Sequence, residues 1–375
     1  MKNKLLKITA MALVLFAGTA AAQQIDFPIR CPPMPSQKTI AKKDASQTPQ
    51  QTEADKLVAE AQAAMRSPSR ENVAKAISLA EQAVNSDANN SAAYLVLARA
   101  HAASQRYSDV PKKQAALRTW ENLSKARSLD PANIEGLHLL ADQIVARNQD
   151  YGCAKKILET ALKFDPQNAR TNYYYSQILS GMGKFDRAFA YADKAIAVAD
   201  ADSRNFVTIN AGRLRYMAGE YDWVLAHYAK YLETNPNNWL AYFYRSLAFG
   251  AKGQFEEALV EAKKSMPDAP SGDAGGIGML ALAYANAGQK ETARELLNEL
   301  LRRDARGEHV VEYRIAAVYE VLGERDEAFR WLGKDIDDRD GIGSWLVWIK
   351  HDPVWKAARK DRRFKEIQKR AGWKS

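Results

Sequence analysis

Polar, helix-ending residues interrupt the apolar pattern of this chain at a fixed interval. Asp130-Pro131, Asp165-Pro166, Asp200, Asn235-Pro236, Ala269-Pro270 and Asp304 follow one another at steps of 35, 35, 35, 34 and 35 residues. A period of about 34 residues is the length of a helix, a turn and a returning helix. Small residues keep the same register: Ala154, Ala188, Ala258, Ala293 and Ala328 share one site, and Ser176, Gly212, Ser246, Ala281 and Ala316 another. Two helices cross closely only where side chains are that small. Between the two sites lie Gly183-Lys184-Phe185, Gly219-Glu220-Tyr221, Gly253-Gln254-Phe255, Gly288-Gln289 and Gly323-Glu324. Glycine there can end the first helix in a left-handed conformation that other residues resist. A hairpin of this kind cannot bury its apolar face alone, so the pattern predicts an all-α stack in which each hairpin covers the next.

The flanks depart from the period. Ala76, Ala80, Ala83 and Val84 share one helix face and predict a degenerate first hairpin beginning near residue 54. The stretch Ser108 to Ala116, with Pro111, is about eight residues too long for the repeat and should lengthen or kink the second hairpin. About eight hairpins are expected over residues 54–342. Residues 23–53 are rich in Pro, Gln, Ser and Thr and read as a largely disordered leader. Lys2, Lys4 and Lys7, the apolar run 8–17 and Ala20-Ala21-Ala22 follow the order of a secretory signal peptide, residues 1–22, cleaved near Ala22. The apolar run is half of the roughly 20 residues that a spanning helix needs. The mature protein is therefore expected in the periplasm or secreted. From Gly341 the period breaks, and Val354, Trp355, Ala358, Phe364 and Ile367 suit a helical cap, residues 343–375, over the last apolar face.

These recurring residues resemble the tetratricopeptide repeat, with a small residue in helix A, Gly and an aromatic at the turn, Ala in helix B and Pro at the end. Tyr173 to Ala195 and Tyr242 to Ala262 match it well, and the resemblance covers about residues 91–340. Arg215 stands where the pattern has Tyr, and Val224 where it has Ala. The resemblance implies a right-handed superhelical solenoid of antiparallel helix pairs. The run from Tyr284 through Asp326-Glu327-Ala328-Phe329, Trp345-Leu346-Val347 and His351-Asp352-Pro353 to Phe364 resembles the repeat tail of bacterial signalling regulators, which serves there as a repeat plus cap.

Composition and charge remove other classes. Lys and Arg number 54 against 45 Asp and Glu, a formal +9. Three of those lysines lie in the export signal, and residues 350–375 alone hold ten Lys or Arg and three acids. The repeats are thus near neutral, and the basic end is a solvated cap or a contact for an anionic surface. No nucleic-acid partner is expected. Two cysteines and five scattered histidines support neither a zinc site nor any other metal or cofactor. Asp335 to Gly341 imitates a calcium loop, yet its first and twelfth positions would be Ile336 and Val347. The glycines of Gly272 to Gly278 precede a helix without a strand before them, unlike a phosphate loop. His309 and Glu312 share a helix face without a third ligand. With no catalytic constellation, the chain reads as a non-enzyme. In an oxidising compartment Cys31 and Cys153 can pair, which would staple the leader to the third hairpin, or one can remain a small buried thiol.

The resemblance further implies that helix A of each repeat lines a concave groove that receives a peptide. The matching positions are Arg170, Tyr173 and Gln177 in one hairpin, Asn210, Arg213 and Tyr216 in the next, and Phe243 in the third. Arg can fork onto carboxylates and amides can pair with an extended backbone, while the aromatics either meet the partner or fill the packing between repeats. No lysine accompanies Tyr173 of the kind that would make a carboxylate clamp. The expected role is a protein–protein interaction scaffold or adaptor in the cell envelope, binding a polypeptide from an envelope or secretion assembly. The alternative is a periplasmic small-ligand-binding or transport-accessory protein whose aromatic groove around Tyr173, Tyr216 and Phe243 closes over a metabolite or lipid.

Overall fold

A computed structural model describes residues 31–35, 49–108, 110–148, 150–265, 274–337 and 348–371. The export signal and the acidic run from Asp338 to Gly341 lie outside these. The chain divides into two units, Met1–Pro32 and Pro33–Ser375. Of the first, only Cys31 and Pro32 are described, without regular structure. In the second, the described residues are helical and contain no strand. Sixteen helices pair as hairpins: α1 (Pro49–Ala64) with α2 (Arg70–Ser86), α3 (Ser91–Tyr107) with α4 (Lys112–Leu129), α5 (Ile134–Asn148) with α6 (Tyr151–Phe164), and α7 (Ala169–Gly181) with α8 (Phe185–Ala197). The series continues with α9 (Ala201–Met217) and α10 (Tyr221–Thr234), α11 (Trp239–Ala251) and α12 (Phe255–Ser265), α13 (Ala274–Asn286) and α14 (Lys290–Ala305), then α15 (Glu312–Leu322) and α16 (Arg325–Asp337). Helix α17 (Arg362–Arg370) follows two short 3-10 turns. Helix α1 begins at Pro49, inside the stretch read from composition as leader.

The local chemistry of the period explains the hairpins. Each Asx-Pro-x-Asn junction ends one helix and starts the next: Asn133, Asn168 and Asn238 accept from the backbone N–H three residues on, at 3.0, 3.0 and 3.1 Å. These side chains satisfy amides that a helix start would otherwise leave unbonded. At the other end Gly183 has φ +74°. Its left-handed turn lets the Lys184 N–H reach back to the Leu179 carbonyl at 2.8 Å. The repeat's remaining turn glycines, at 219, 253, 288 and 323, also have positive φ. Pro111 takes the position before α4, where its missing N–H costs no helical bond, and the extra residues are absorbed by helices of 17 and 18 residues.

Consecutive first helices touch throughout, α1 to α3 and onward to α15, whereas consecutive second helices make no comparable contact among the described residues. The first helices therefore form the inner, more tightly curved layer of the stack. Small residues permit the approach. A Cβ on Gly212 would lie 2.3 Å from the Tyr228 ring, and one on Gly278 would lie 2.9 Å from Cβ of Arg314. Gly278 thus serves helix packing, a physical reason for a glycine in a run that imitates a phosphate loop. Replacing Gly212 with Ala is expected to cost about 1–3 kcal/mol, because fully buried Tyr228 donates to the Ile209 carbonyl at 2.7 Å and cannot yield freely. Urea unfolding of the variant checks this, and an unchanged midpoint would contradict it. The departures from the repeat are compensated locally. Arg215 lies between the rings of Phe189 and Trp223, at 4.2 and 4.3 Å, and donates to Asp193, while Val224 is fully buried.

The C-terminal residues do two things, only one of them a cap. Helix α17 packs on α16 with Phe364 and Ile367 buried, and Arg363 and Arg370 reach Asp326 and Asp337, each at 2.6 Å. Residues 348–355 instead run back along the inner layer as a strap. His351 meets Phe185 edge to face at 5.0 Å, and Trp348, Ile349 and Trp355 join the apolar cluster of Tyr173, Tyr216, Tyr244 and Tyr313. The apolar pattern read as a cap, with Val354 and Trp355 among its residues, contained no sign of the strap.

Candidate functional site

The inner wall is built by α5, α7, α9, α11 and α15, and its side chains are joined in a polar and aromatic network. Tyr173 on α7 is 1% exposed and accepts from Arg213 on α9 at 2.6 Å. The same guanidinium lies 5.6 Å from the Trp348 ring centroid of the strap. Farther along, the Tyr313 hydroxyl donates to the Asp352 carboxyl at 2.7 Å and accepts from the Trp355 indole at 2.9 Å. Burial raises the Asp352 carboxyl above its ordinary range, although Tyr313, the Val354 amide, Arg314 and Arg359 all favour its charge. Arg359 also donates to the Ile349 and Asp352 carbonyls. An irregular segment is thereby held at both ends by groups that burial makes costly to leave unbonded.

This arrangement corrects the expected open groove. Tyr173, Tyr216 and Phe243 are 1, 2 and 1% exposed and fill the packing between repeats. The physical reason is the strap together with close neighbours: Phe206 against Tyr173, Tyr244 against Tyr216, and Arg314 over Phe243. Asn210 donates to the Phe206 carbonyl of its own helix at 2.8 Å, and Arg170 lies over the Phe206 ring at 5.0 Å. Of the seven, Gln177 and Arg213 line a cavity beneath Trp348. On the cap, Arg359, Arg363 and Arg370 are used internally, leaving Lys356, Lys360, Lys365 and Lys369 exposed.

The cavity holds about 160 Å³ between α5, α7, α9 and the strap. Its polar groups are His138 and Asp142 from α5, Gln177 from α7 and Arg213 from α9; Tyr174 and Trp348 supply aromatic walls. Burial pushes the Asp142 carboxyl up to about 6, partly offset by a hydrogen bond with Gln143. Burial first, then Arg170 and Arg99, lowers His138 to about 3, so its ring is neutral at physiological pH. The His138 Nε2 lies 2.7 Å from the Thr171 hydroxyl, which itself donates to the side-chain Oδ1 of Asn168. The hydroxyl must accept from the ring, which assigns the imidazole proton to Nε2. Sequence reasoning missed His138, Asp142, Tyr174 and Trp348. The one available signal was an acid inside the apolar run Leu139 to Val145.

Both cysteines are disulfide-bonded. Cys153 is buried in α6, and Met34, close after Cys31 in sequence, packs against the apolar cluster containing Cys153. Among the described residues no group of three His, Cys, Asp or Glu is placed to hold a metal, and no helix is long and apolar enough to cross a membrane.

No family model matches the chain. A TPR repeat-containing protein of Methanocaldococcus jannaschii is 27% identical over 113 residues, 30% of this chain, and the match spans 19% of that protein's length. Among solved structures, a tetratricopeptide repeat protein from Parabacteroides merdae is 15% identical, with 73% of this chain and 99% of that one covered at a TM-score of 0.48. Yeast Tom70 is 18% identical, with 88% and 71% covered at 0.49. By its own repeat, turns and helix pairing, the chain has the fold of an all-α solenoid of antiparallel helix pairs, similar to that of tetratricopeptide repeat proteins.

Proposed function

We propose that this protein is a non-enzymatic scaffold that binds a polypeptide segment along the inner layer of its solenoid, in the envelope of the exporting cell. The supporting observation is that the inner wall holds a polypeptide segment from its own chain. Trp348 sits on the Arg213 guanidinium, His351 on Phe185, and Asp352 on the Tyr313 hydroxyl. The wall thus suits an irregular segment carrying an aromatic and an acid, and stacked helices hold its donors in place before a partner arrives. A partner segment of this type would take the strap's place. Export is supported by the order of residues 1–22 and by two disulfide-bonded cysteines, which belong to an oxidising compartment.

The test uses a labelled peptide of residues 345–358 and the full chain, native or carrying Trp348→Ala with Asp352→Asn. Fluorescence polarisation should show the peptide binding the opened chain at least about tenfold more tightly than the native one, whose wall is already occupied. Equal binding to both, or binding to neither, would remove the wall as a recognition surface.

A further inference from the structure

Helix α17 divides its residues between two opposite faces. Phe364, Ile367 and Ala371, at steps of three and four, are buried on the side that packs against α16. Residues at those steps form one stripe of a helix. Arg362, Lys365 and Lys369 repeat the same steps two residues earlier, and all three are exposed. Two residues turn a helix by about 200°, so the basic stripe points away from α16. Lys356 and Lys360, from the 3-10 turns just before the helix, are exposed as well.

The acids that could neutralise this face are engaged elsewhere. Asp361 accepts from the Arg363 amide at 3.0 Å and from its guanidinium at 2.7 Å, and Asp352 is buried on the Tyr313 hydroxyl. Asp326 and Asp337 of α16 take Arg363 and Arg370. Among the described residues from 348 to 371, Glu366 is the one exposed acid. Facing it are Lys356, Lys360, Arg362, Lys365 and Lys369, none of which forms an ion pair among the described residues. A comparable run on α14 is built differently: Arg302, Arg303 and Arg306 share Glu299 and Glu308.

The chemistry of the face selects its occupant. Four of the five cations are lysines, compact charges on flexible stems that lack the fork with which arginine matches a fixed carboxylate or phosphate. They suit a surface of many mobile anionic groups. Trp348, Trp355 and Phe364 are buried, so among the described residues the face offers no ring on which a nucleic-acid base could stack. An interfacial helix sinks its apolar stripe among acyl chains. Here that stripe is committed to α16, and contact stops at the headgroups. We propose that the exposed face of α17, with Lys356 and Lys360, docks the solenoid reversibly on a bilayer surface rich in anionic phospholipid. The proposal uses none of the inner-wall contacts and stands apart from the peptide-binding reading.

The test compares three full-length chains. One is native, and one carries Lys356→Gln, Lys360→Gln, Arg362→Gln, Lys365→Gln and Lys369→Gln. The third is matched in charge by Lys75→Gln, Lys163→Gln, Lys184→Gln, Lys230→Gln and Lys263→Gln, at exposed lysines of the repeats. All three keep residues 1–22, so differences among them belong to the substituted positions. Each is sedimented with vesicles of phosphatidylcholine, alone or with about 30% phosphatidylglycerol; a basic residue near an anionic leaflet contributes about fivefold to partitioning. The native chain should bind the anionic vesicles at least about tenfold more strongly than the neutral ones at about 0.1 M salt. It should be released at about 1 M, where the screening length falls from about 10 to about 3 Å. The cap variant should lose at least about tenfold of that binding and the charge-matched variant less than about threefold, each with native circular dichroism. Equal binding by the native chain and the cap variant would overturn the proposal, as would an equal loss in the charge-matched chain. So would a native chain with no preference for anionic vesicles. Capture by immobilised alginate or polyglutamate without vesicle binding would assign the face to a soluble polyanion and overturn it too.

Discussion

Replacing Trp355 with Ala should destabilise the C-terminal part of the solenoid by about 3–5 kcal/mol, the range for removing a buried Trp or Phe from a core. Trp355 is fully buried, stands edge to face with Tyr313 at 5.8 Å, and donates its indole N–H to the Tyr313 hydroxyl. Its loss leaves a void and also a hydroxyl short of one partner beside the buried Asp352 carboxyl. The hairpins themselves contact mainly their neighbours, so the loss should appear as an early transition of α15 to α17 and the strap rather than a uniform shift. Thermal unfolding followed by hydrogen exchange across α15 to α17 reads it out. Tyr313→Phe, which keeps the ring and removes only the bridging oxygen, should cost less, about 1–3 kcal/mol. A Trp355→Ala chain with native exchange rates in α17 would show that the strap is not an anchor.

Reduction is expected to have an effect of similar size through a different state of the chain. A Cys31 to Cys153 bridge would close a loop of over 100 residues, and on the chain-entropy account such a link restricts the unfolded ensemble by about 4.7 kcal/mol. Oxidised native protein should therefore unfold at a clearly higher temperature than protein in reductant. Cys31→Ser should unfold at the reduced value in either condition. Met34, three residues after Cys31 in sequence, packs against the cluster of Cys153. If Cys31→Ser and native protein unfold alike without reductant, the bridge contributes nothing.

Much of the fold was legible because its causes are local. Asn168 caps α7 from three residues before the amide it bonds, and Gly183 turns the chain with an N–H five residues from the carbonyl it reaches. Such interactions repeat with the period and can be counted in the sequence. The strap was illegible because its partners are remote: Asp352 meets Tyr313 39 residues away, and Trp348 meets Arg213 on α9, several hairpins earlier in the chain. Nothing in the apolar positions Trp348, Ile349 and Trp355 distinguishes a cap from a segment that returns along the inner wall. The candidate groove positions lie on α7, α9 and α11, but burial depends on what covers them. Tyr216 and Phe243 changed role for that reason, whereas Gln177 and Arg213 kept a cavity beside them. Asp142 occupies no repeat position and so carried no periodic signal.

Trp348 is a wall of the cavity and a residue of the strap at once. Lifting the strap therefore also removes one wall of that cavity, so whatever frees the inner wall opens the space between α5, α7 and α9 to solvent.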